Sequence, residues 1–330
     1  MPTHKEQVQN RCALIGDGVV MDFENRFKAL LENRFHILSF NNATSALECV
    51  LRILPGCDFV ALPLFTSPST YAAAAHADKC VLFCDIDPVS VCLSPSSVQD
   101  RAHGPLSAIL TVNIFGLRSN LKKLRKVADR LDAVLIVDAA QSLATCLSDP
   151  DYTALADIVV FSCGMNKFLA CPDGAVVAVK SRELWENLVG LSQHVSRQIL
   201  DAPLRPVNHN HWNFRVNPTS AQVALGALKN INDRITRVQQ EQHQQLEELR
   251  ELEGIELVPG CDRIVFEPLT AITKKQKLPG QNLGALPIPI RLDLAYKYNL
   301  PETLRQFRFR KTLTKKEGKN LKDIHNILSA

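Results

Sequence analysis

The chain has 330 residues, of which 46% are hydrophobic and 22% charged, and its formal net charge is +4. This composition excludes disordered and fibrous proteins and predicts a folded chain of about two domains. No apolar run approaches the ~18 residues of a membrane span, and residues 1–12 lack the layout of a secretion signal, so we expect a cytoplasmic protein without membrane contact.

Short β-branched strands alternate with helical patterns from about residue 36 to residue 180. Strands are predicted at 36–40, 58–63, 79–84, 107–112, 133–137, 157–161 and 175–179, with helices between several of them at 44–54, 67–77 and 120–131. This alternation predicts the α/β class, with a mainly parallel sheet flanked by helices. Since ligands of such sheets gather at the carboxyl ends of the strands, residues just after a strand are the candidates for a functional site.

Small polar residues follow the first predicted strand. Thr44 and Ser45 would begin the next helix, where free amides, the helix dipole and two hydroxyls form a suitable cradle for a phosphate group. The alternative interpretation is an ordinary Ser/Thr helix cap.

The ten cysteines form no CxxC pair and no set with zinc-ligand spacing. This argues against a metal site and, in a cytoplasmic chain, favours free thiols. Cys80 and Cys84 flank a three-residue apolar segment, and strand alternation would place both on one face, so we assign both to the core.

The strand predicted at 133–137 runs directly into Asp138, which is followed by small residues. An uncompensated carboxylate at a buried strand end costs several kcal/mol, on the order of the desolvation of one charge. We therefore expect Asp138 to meet a cation, a metal ion or a protonated ring nitrogen, the alternative being a helix N-cap.

A second buried strand, at 157–161, opens into a turn that carries Ser162 and, five residues later, Lys167. Desolvation lowers the pKa of an amine, and a neutral amine can react with an aldehyde. Taken alone, Lys167 is most simply a surface lysine; together with Asp138 it indicates a reactive site.

Polar and aromatic residues alternate at 211–215, which contains Asn213. The segment is either a packed loop or a subunit contact, in which Trp and Arg are enriched.

Residues 219–252 then read as one long helix or a broken pair. Beyond it the pattern weakens, with strands placed at 255–258, 263–266 and 288–292 and a final helix at about 315–328. We divide the chain into a large domain, 1–218, and a small C-terminal α+β domain, 219–330, entered through the long helix.

Residues 271–330 carry 13 Lys+Arg against 4 Asp+Glu, so the C-terminal part is basic. Its densest run, 311–319, lacks interleaved aromatics, and we expect no contact with nucleic acid. A solvated helix face, or a rim that attracts a phosphorylated small substrate, accounts for the charge.

Six segments taken together resemble the DegT/DnrJ/EryC1/StrS aminotransferases in order and approximate spacing. They are NATSAL at 42–47, FCDIDP at 83–88, VDAAQS at 137–142, FSCGMNK at 161–167, DGAV at 173–176 and WNFR at 212–215. The resemblance covers roughly residues 20–250, and the combination is far more specific than any single segment. It implies an aspartate-aminotransferase-like fold, PLP fold type I, and an enzyme that uses pyridoxal 5′-phosphate (PLP).

The resemblance also assigns roles to individual residues. Lys167 matches the lysine that binds PLP covalently and later moves the proton, and Asp138 matches the acid paired with the ring nitrogen. Gln141 matches the residue beside the ring hydroxyl. The phosphate ligands are matched by Thr44, Ser45, Ser162 and, from the other subunit, Asn213.

The implied reaction moves an amino group from an amino acid, by family analogy glutamate, to a ketone on a nucleotide-linked sugar. A homodimer with a shared active site is the implied assembly. Two alternatives remain open: a PLP-dependent sugar dehydratase, whose lysine is replaced by histidine, and an inactive or regulatory homologue that binds PLP or sugar. The chain departs from the family at Ser67, where an aromatic residue usually stacks on the cofactor, so that Phe65 or Tyr71 would have to take its place.

Overall fold

A computed structural model of the chain describes residues 15–56, 59–87, 90, 92–200 and 204–250, without the side chains of Phe115 and of residues 242–250. Within these ranges seven strands form one sheet in the order β1-β7-β6-β5-β4-β2-β3. The strands are β1 His36–Phe40, β2 Phe59–Pro63, β3 Cys80–Cys84, β4 Ala108–Val112, β5 Val134–Asp138, β6 Ile158–Ser162 and β7 Ala175–Val179.

Helices cover the sheet and connect its strands. They are α1 Val19–Leu30, α2 Ala43–Ile53, α3 Pro68–His76, α4 Pro95–Arg101, α5 Leu121–Leu131, α6 Leu143–Leu147, α7 Pro150–Thr153, α8 Arg182–Ser192, α9 Val195–Leu200, α10 Pro218–Leu228 and α11 Ile231–Arg250, with a 3₁₀ turn at Ile114–Gly116. In the part of the chain that the structure describes, no helix combines the length and apolarity needed to cross a membrane.

The sheet is parallel except for β7, which is antiparallel to both of its neighbours, β1 and β6. Strands β2 to β6 pair in parallel with one another. The carboxyl ends of β1 to β6 therefore share one edge, together with the first residue of β7. This confirms the predicted α/β class and the mainly parallel sheet.

Both faces of the sheet are buried, because successive residues of a strand point to opposite sides. In β7, Val177 belongs to one hydrophobic core while its neighbours Val176 and Ala178 belong to the other. Packing on both faces explains why the strands read as continuous apolar runs.

A buried ion pair joins α1 to α9, and its carboxylate also binds the backbone near the end of β1. The Arg197 guanidinium donates to both carboxylate oxygens of Glu24, at 3.2 and 2.6 Å, and the backbone N–H of Ser39 donates to the same carboxylate at 2.8 Å. These bonds fix the strand that leads into the polar segment after residue 40.

The assignment of Cys80 to the core is wrong. Cys84 is buried, but Cys80 is exposed, because β3 is the edge strand and Cys80 is its first residue. The cysteines of the described ranges are free thiols.

The region predicted as one long helix or a broken pair forms two helices, α10 and α11. The strands and helix predicted beyond residue 252 lie outside the described residues, as does the basic segment. The small C-terminal domain therefore stays a prediction.

Candidate active site

The polar segments that follow β1, β5 and β6 meet at one edge of the sheet. Phe40 at the end of β1 and Ser162 at the end of β6 both pair with Ala175 of β7, so they lie two strand spacings apart, about 10 Å. Asp138 ends β5 beside Val160 of β6. The fold thus gathers the candidate residues of distant segments into one region.

Asp138 is a buried carboxylate, 3% exposed, with one hydrogen bond to each oxygen. The backbone N–H of Ala140 donates to Oδ1 at 3.0 Å, and the Thr70 hydroxyl donates to Oδ2 at 2.8 Å. Ser142, not Asp138, occupies the N-cap position of α6, which removes the helix-cap alternative.

The backbone around Asp138 is also fixed from two sides. The Asn113 N–H donates to the carbonyl oxygen of Asp138 at 3.0 Å, and the Ala139 N–H donates to the carbonyl of Val160 at 2.8 Å. The carboxylate is therefore attached to a rigid support.

Lys167 lies in the loop between β6 and β7, which closes at its base like a hairpin. The N–H of Cys163 donates to Gly174 O at 2.9 Å, and the N–H of Cys171 donates to Cys163 O at 2.8 Å. Two buried residues, Phe168 and Leu169, follow the lysine directly and anchor it to the core.

Lys167 and Asp138 act on each other electrostatically. Burial lowers the pKa of the Lys167 amine, and the charge of Asp138 opposes that shift. Burial raises the pKa of Asp138, while the hydrogen bonds from Ala140 and Thr70 and the charge of Lys167 lower it. Among the described residues, no cation lies within ion-pair distance of Asp138, so the charge of Lys167 acts on it from farther away.

The helix after β1 begins one residue earlier than expected, at Ala43, and its N-cap is Asn42. The Asn42 side chain accepts a hydrogen bond from the Ser45 N–H at 2.9 Å. Thr44 and Ser45 are half-buried in the first turn. Their hydroxyls and the remaining orphan amides of this turn are the groups that can bind an anion.

Ser162 and Gln141 are half-buried at the same edge, Ser162 as the last residue of β6 and Gln141 in the turn after β5. The structure brings the segments of Lys167, Asp138, Gln141, Ser162, Thr44 and Ser45 to one edge of the sheet.

The segment at 212–215 runs beside the end of β1 in the same chain, where the Asn41 N–H donates to Phe214 O at 2.8 Å. Trp212 and Phe214 pack against the core, whereas Asn213 is exposed and its side-chain oxygen accepts a hydrogen bond from Arg215. The aromatic residues thus belong to the packed loop, and Asn213 projects away from it.

The position of the expected ring-stacking residue is taken by Ser67, which caps α3. Phe65 and Tyr71 both lie in the core, and the Tyr71 ring stacks on Phe83 with centroids 5.8 Å apart.

Sequence reasoning missed Thr70 and Asn42. Thr70 carries no sequence signal, because its role depends on a strand far along the chain. Asn42 could have been found, since Asn is among the strongest N-cap residues.

A family model, the DegT/DnrJ/EryC1/StrS aminotransferase family, matches residues 5–279. Protein MosB of Rhizobium meliloti is 26% identical over 239 residues, which is 68% of this chain and 47% of that protein. The 3-oxo-glucose-6-phosphate:glutamate aminotransferase of Bacillus subtilis is 26% identical over 52% of this chain and 38% of its own length. The chain thus spans less than half the length of these curated relatives.

Solved structures share the fold. The crystal structure of DesI with its TDP-sugar product has a TM-score of 0.68 at 22% identity and covers 82% of this chain and 68% of that one. That of NtdA from Bacillus subtilis with bound cofactor PMP has a TM-score of 0.68 at 16% identity over 99% of this chain and 83% of that one.

Proposed function

Because this chain belongs to the DegT/DnrJ/EryC1/StrS aminotransferase family, we propose that it is a PLP-dependent aminotransferase acting on a nucleotide-linked ketosugar, with glutamate as the amino donor. The observation that carries the proposal is the pair formed by Lys167 and Asp138. A desolvated amine and a buried carboxylate act on each other at the carboxyl edge of the sheet.

The residues present fit PLP. A carboxylate offers about four lone-pair sites, and Asp138 uses two of them for neutral donors. It therefore has room for the cationic N–H of a pyridine ring, which would offset the cost of its burial. Thr44, Ser45 and Ser162 would bind the phosphate, and Gln141 would lie beside the ring hydroxyl.

PLP supplies an electron sink that stabilises negative charge at the carbon of the reacting amine. Lys167 would hold PLP through its aldehyde, and burial, which lowers the pKa of this amine, favours the neutral form that such a bond requires. Once an amino donor had displaced it, the Lys167 amine would take the proton from the donor carbon. Asp138 would keep the ring nitrogen of PLP protonated, because its negative charge favours the cation.

Similar proteins support the substrate class. The Bacillus subtilis relative is named as a glutamate aminotransferase of a 3-oxo sugar phosphate, and the DesI structure contains a TDP-sugar. A GDP-4-keto-6-deoxymannose-3-dehydratase shares the fold with a TM-score of 0.66 at 15% identity. The retention of Lys167 favours the aminotransferase over that dehydratase.

The test compares two lysines whose pKa is lowered by burial. Lys180 follows β7 at the opposite edge of the sheet, and its ammonium donates to the carbonyl of Ala154. After incubation with PLP and reduction with borohydride, we expect a covalent adduct on Lys167. The adduct should be lost in Lys167→Ala and retained in Lys180→Ala.

Turnover is then measured with glutamate and a panel of nucleotide-linked ketosugars, and two-step exchange predicts ping-pong kinetics. An adduct on a lysine other than Lys167 would contradict the site. A correct adduct without any half-reaction with amino acids would favour the inactive, regulatory homologue.

A further inference from the structure

Thr70 is a fully buried residue in the first turn of α3, 0% exposed, and its hydroxyl lies 2.8 Å from Oδ2 of Asp138. We propose that Thr70 is the positioning residue that holds the Asp138 carboxylate ionised and in one orientation. This inference rests on the proposed function for its catalytic consequence, but the contact itself belongs to the chain alone.

The two donors to Asp138 differ in origin. Ala140 is two residues away and forms a local turn with the carboxylate, whereas Thr70 comes from the helix after β2. The terminal torsion of an Asp side chain is broad, so a single local bond leaves the carboxylate free to turn. A second bond, to the other oxygen and from another element, fixes it.

The bond also joins distant parts of the sheet. Strand β4 lies between β5, which ends at Asp138, and β2, which leads into α3. The contact therefore spans about two strand spacings, ~10 Å, and fixes the start of α3 against the end of β5.

The N-terminus of α3 adds a favourable field. Pro68 occupies its first turn, Ser67 caps it, and the first turn contains no acidic residue. The positive end of the helix dipole thus lies close to the Asp138 carboxylate, as the Thr70 contact shows. Burial raises the pKa of Asp138, and the hydrogen bonds from Ala140 and Thr70 oppose that shift.

Thr66 provides a matched control within the same segment. It lies four residues before Thr70 and is also 0% exposed, yet its hydroxyl has no hydrogen-bond partner in the described part of the structure. Replacing either threonine by valine makes the same chemical change in a buried site, but only one replacement removes a bond to Asp138.

The first experiment titrates Asp138 in the protein without cofactor, using ¹³C NMR of labelled aspartate carboxyl groups and the Asp138→Asn spectrum for assignment. We expect Thr70→Val to raise the pKa of Asp138 by about one unit, the effect of one hydrogen bond to a charged group. Thr70→Ser and Thr66→Val should titrate like the wild type. If Thr70→Val does not fold, Thr70→Ala removes the same hydroxyl without adding volume.

The second experiment follows the half-reaction of the PLP-loaded variants with glutamate. We expect Thr70→Val to lower the limiting rate constant of this half-reaction about tenfold, the rate equivalent of one pKa unit. The glutamate concentration that gives half of the limiting rate should not change, and Thr70→Ser should recover the wild-type rate. An unchanged Asp138 titration in every variant that lacks the hydroxyl would overturn the inference. If the wild-type protein binds no PLP, the proposed function is refuted but the inference about Thr70 is not, because the first experiment needs no cofactor.

Discussion

Asp138 combines deep burial with an incomplete set of partners. Two neutral donors satisfy one lone pair on each oxygen, and the charge of Lys167 also acts on the carboxylate. A carboxylate in this state gains most from a cation brought by a ligand, because the protein already bears the cost of desolvation.

We predict that Asp138→Asn preserves the fold and the covalent bond to PLP but slows proton transfer. The amide has the shape of the carboxylate and lacks the charge that keeps the ring nitrogen protonated. The expected loss is about 3 kcal/mol of transition-state stabilisation, comparable to the removal of other charge-stabilising groups.

Single-turnover rates with glutamate measure this loss. Asp173→Asn is the control, since Asp173 is an exposed acid at the same edge whose Oδ1 accepts a bond from the Gly174 N–H that an amide oxygen can also accept. Equal rates in Asp138→Asn and the wild type would refute the assignment.

Strand-terminal residues were predictable, and contacts between strands were not. Asp138 stands out in the sequence because it directly follows an apolar strand, and Lys167 stands out only in combination with it, five residues after the next strand ends. Thr70 is one hydroxyl among many, and only the order of strands in the sheet brings it to Asp138. Cys80 was misplaced because periodicity gives the face of a strand, whereas exposure also depends on whether the strand lies at the edge.

At the scale of elements, the seven strands and the three helices placed between them were predicted to within about one residue, because both faces of the sheet are apolar and the flanking residues are polar. The helices α1, α4 and α8 were not predicted. The loop between β6 and β7 was harder. Its residue Ala170 has φ +50°, a left-handed conformation that costs an alanine about 1–2 kcal/mol. Gly174 has φ +141°, which only glycine adopts readily.

We predict opposite effects of substitution at these two positions. Ala170→Gly should raise the free energy of unfolding by up to about 1 kcal/mol, because relief of strain exceeds the added entropy of the unfolded chain. Gly174→Ala should lower it by about 1–3 kcal/mol, since the backbone is strained and the new Cβ would lie 3.4 Å from Cβ of Cys163.

Urea denaturation measures both changes in the free energy of unfolding, with the same m-value used for the wild type and the two variants. A destabilised Ala170→Gly would mean that the strain at this residue is smaller than its backbone angle implies.

At the scale of the whole molecule, Asn213 is exposed and accessible to a second subunit. Its aromatic neighbours Trp212 and Phe214 face the core of their own chain. We propose that Asn213 of one chain completes the phosphate site of the other, as in a two-fold dimer in which every contact occurs twice.

Subunit mixing tests this arrangement. Lys167→Ala and Asn213→Asp should each be inactive, the second because it places a negative charge against the phosphate. If the site is shared, each mixed dimer contains one site with both defects and one with neither, and activity returns after exchange.

The control mixes Lys167→Ala with Asp138→Asn. Lys167 and Asp138 of one site come from the same chain, so each site of a mixed dimer of this pair carries one defect and none is intact. Recovery of activity in the first mixture, but not in this control, supports the shared site. Demonstrated exchange without recovery would assign Asn213 to its own chain.

Because β1 pairs with β7, the candidate site can form only after β7 has been synthesised. The first strand cannot find its neighbour until the chain has been made through Val179, and its end meets Phe214 later still. Contacts between such distant segments are slow to form, because the chain entropy of closing a long loop is lost before any contact compensates for it. A ribosome-bound chain that stops short of β7 therefore has the residues of the phosphate cradle but lacks the strand that joins β1 to β6. We expect cofactor capture to belong to the last stage of folding.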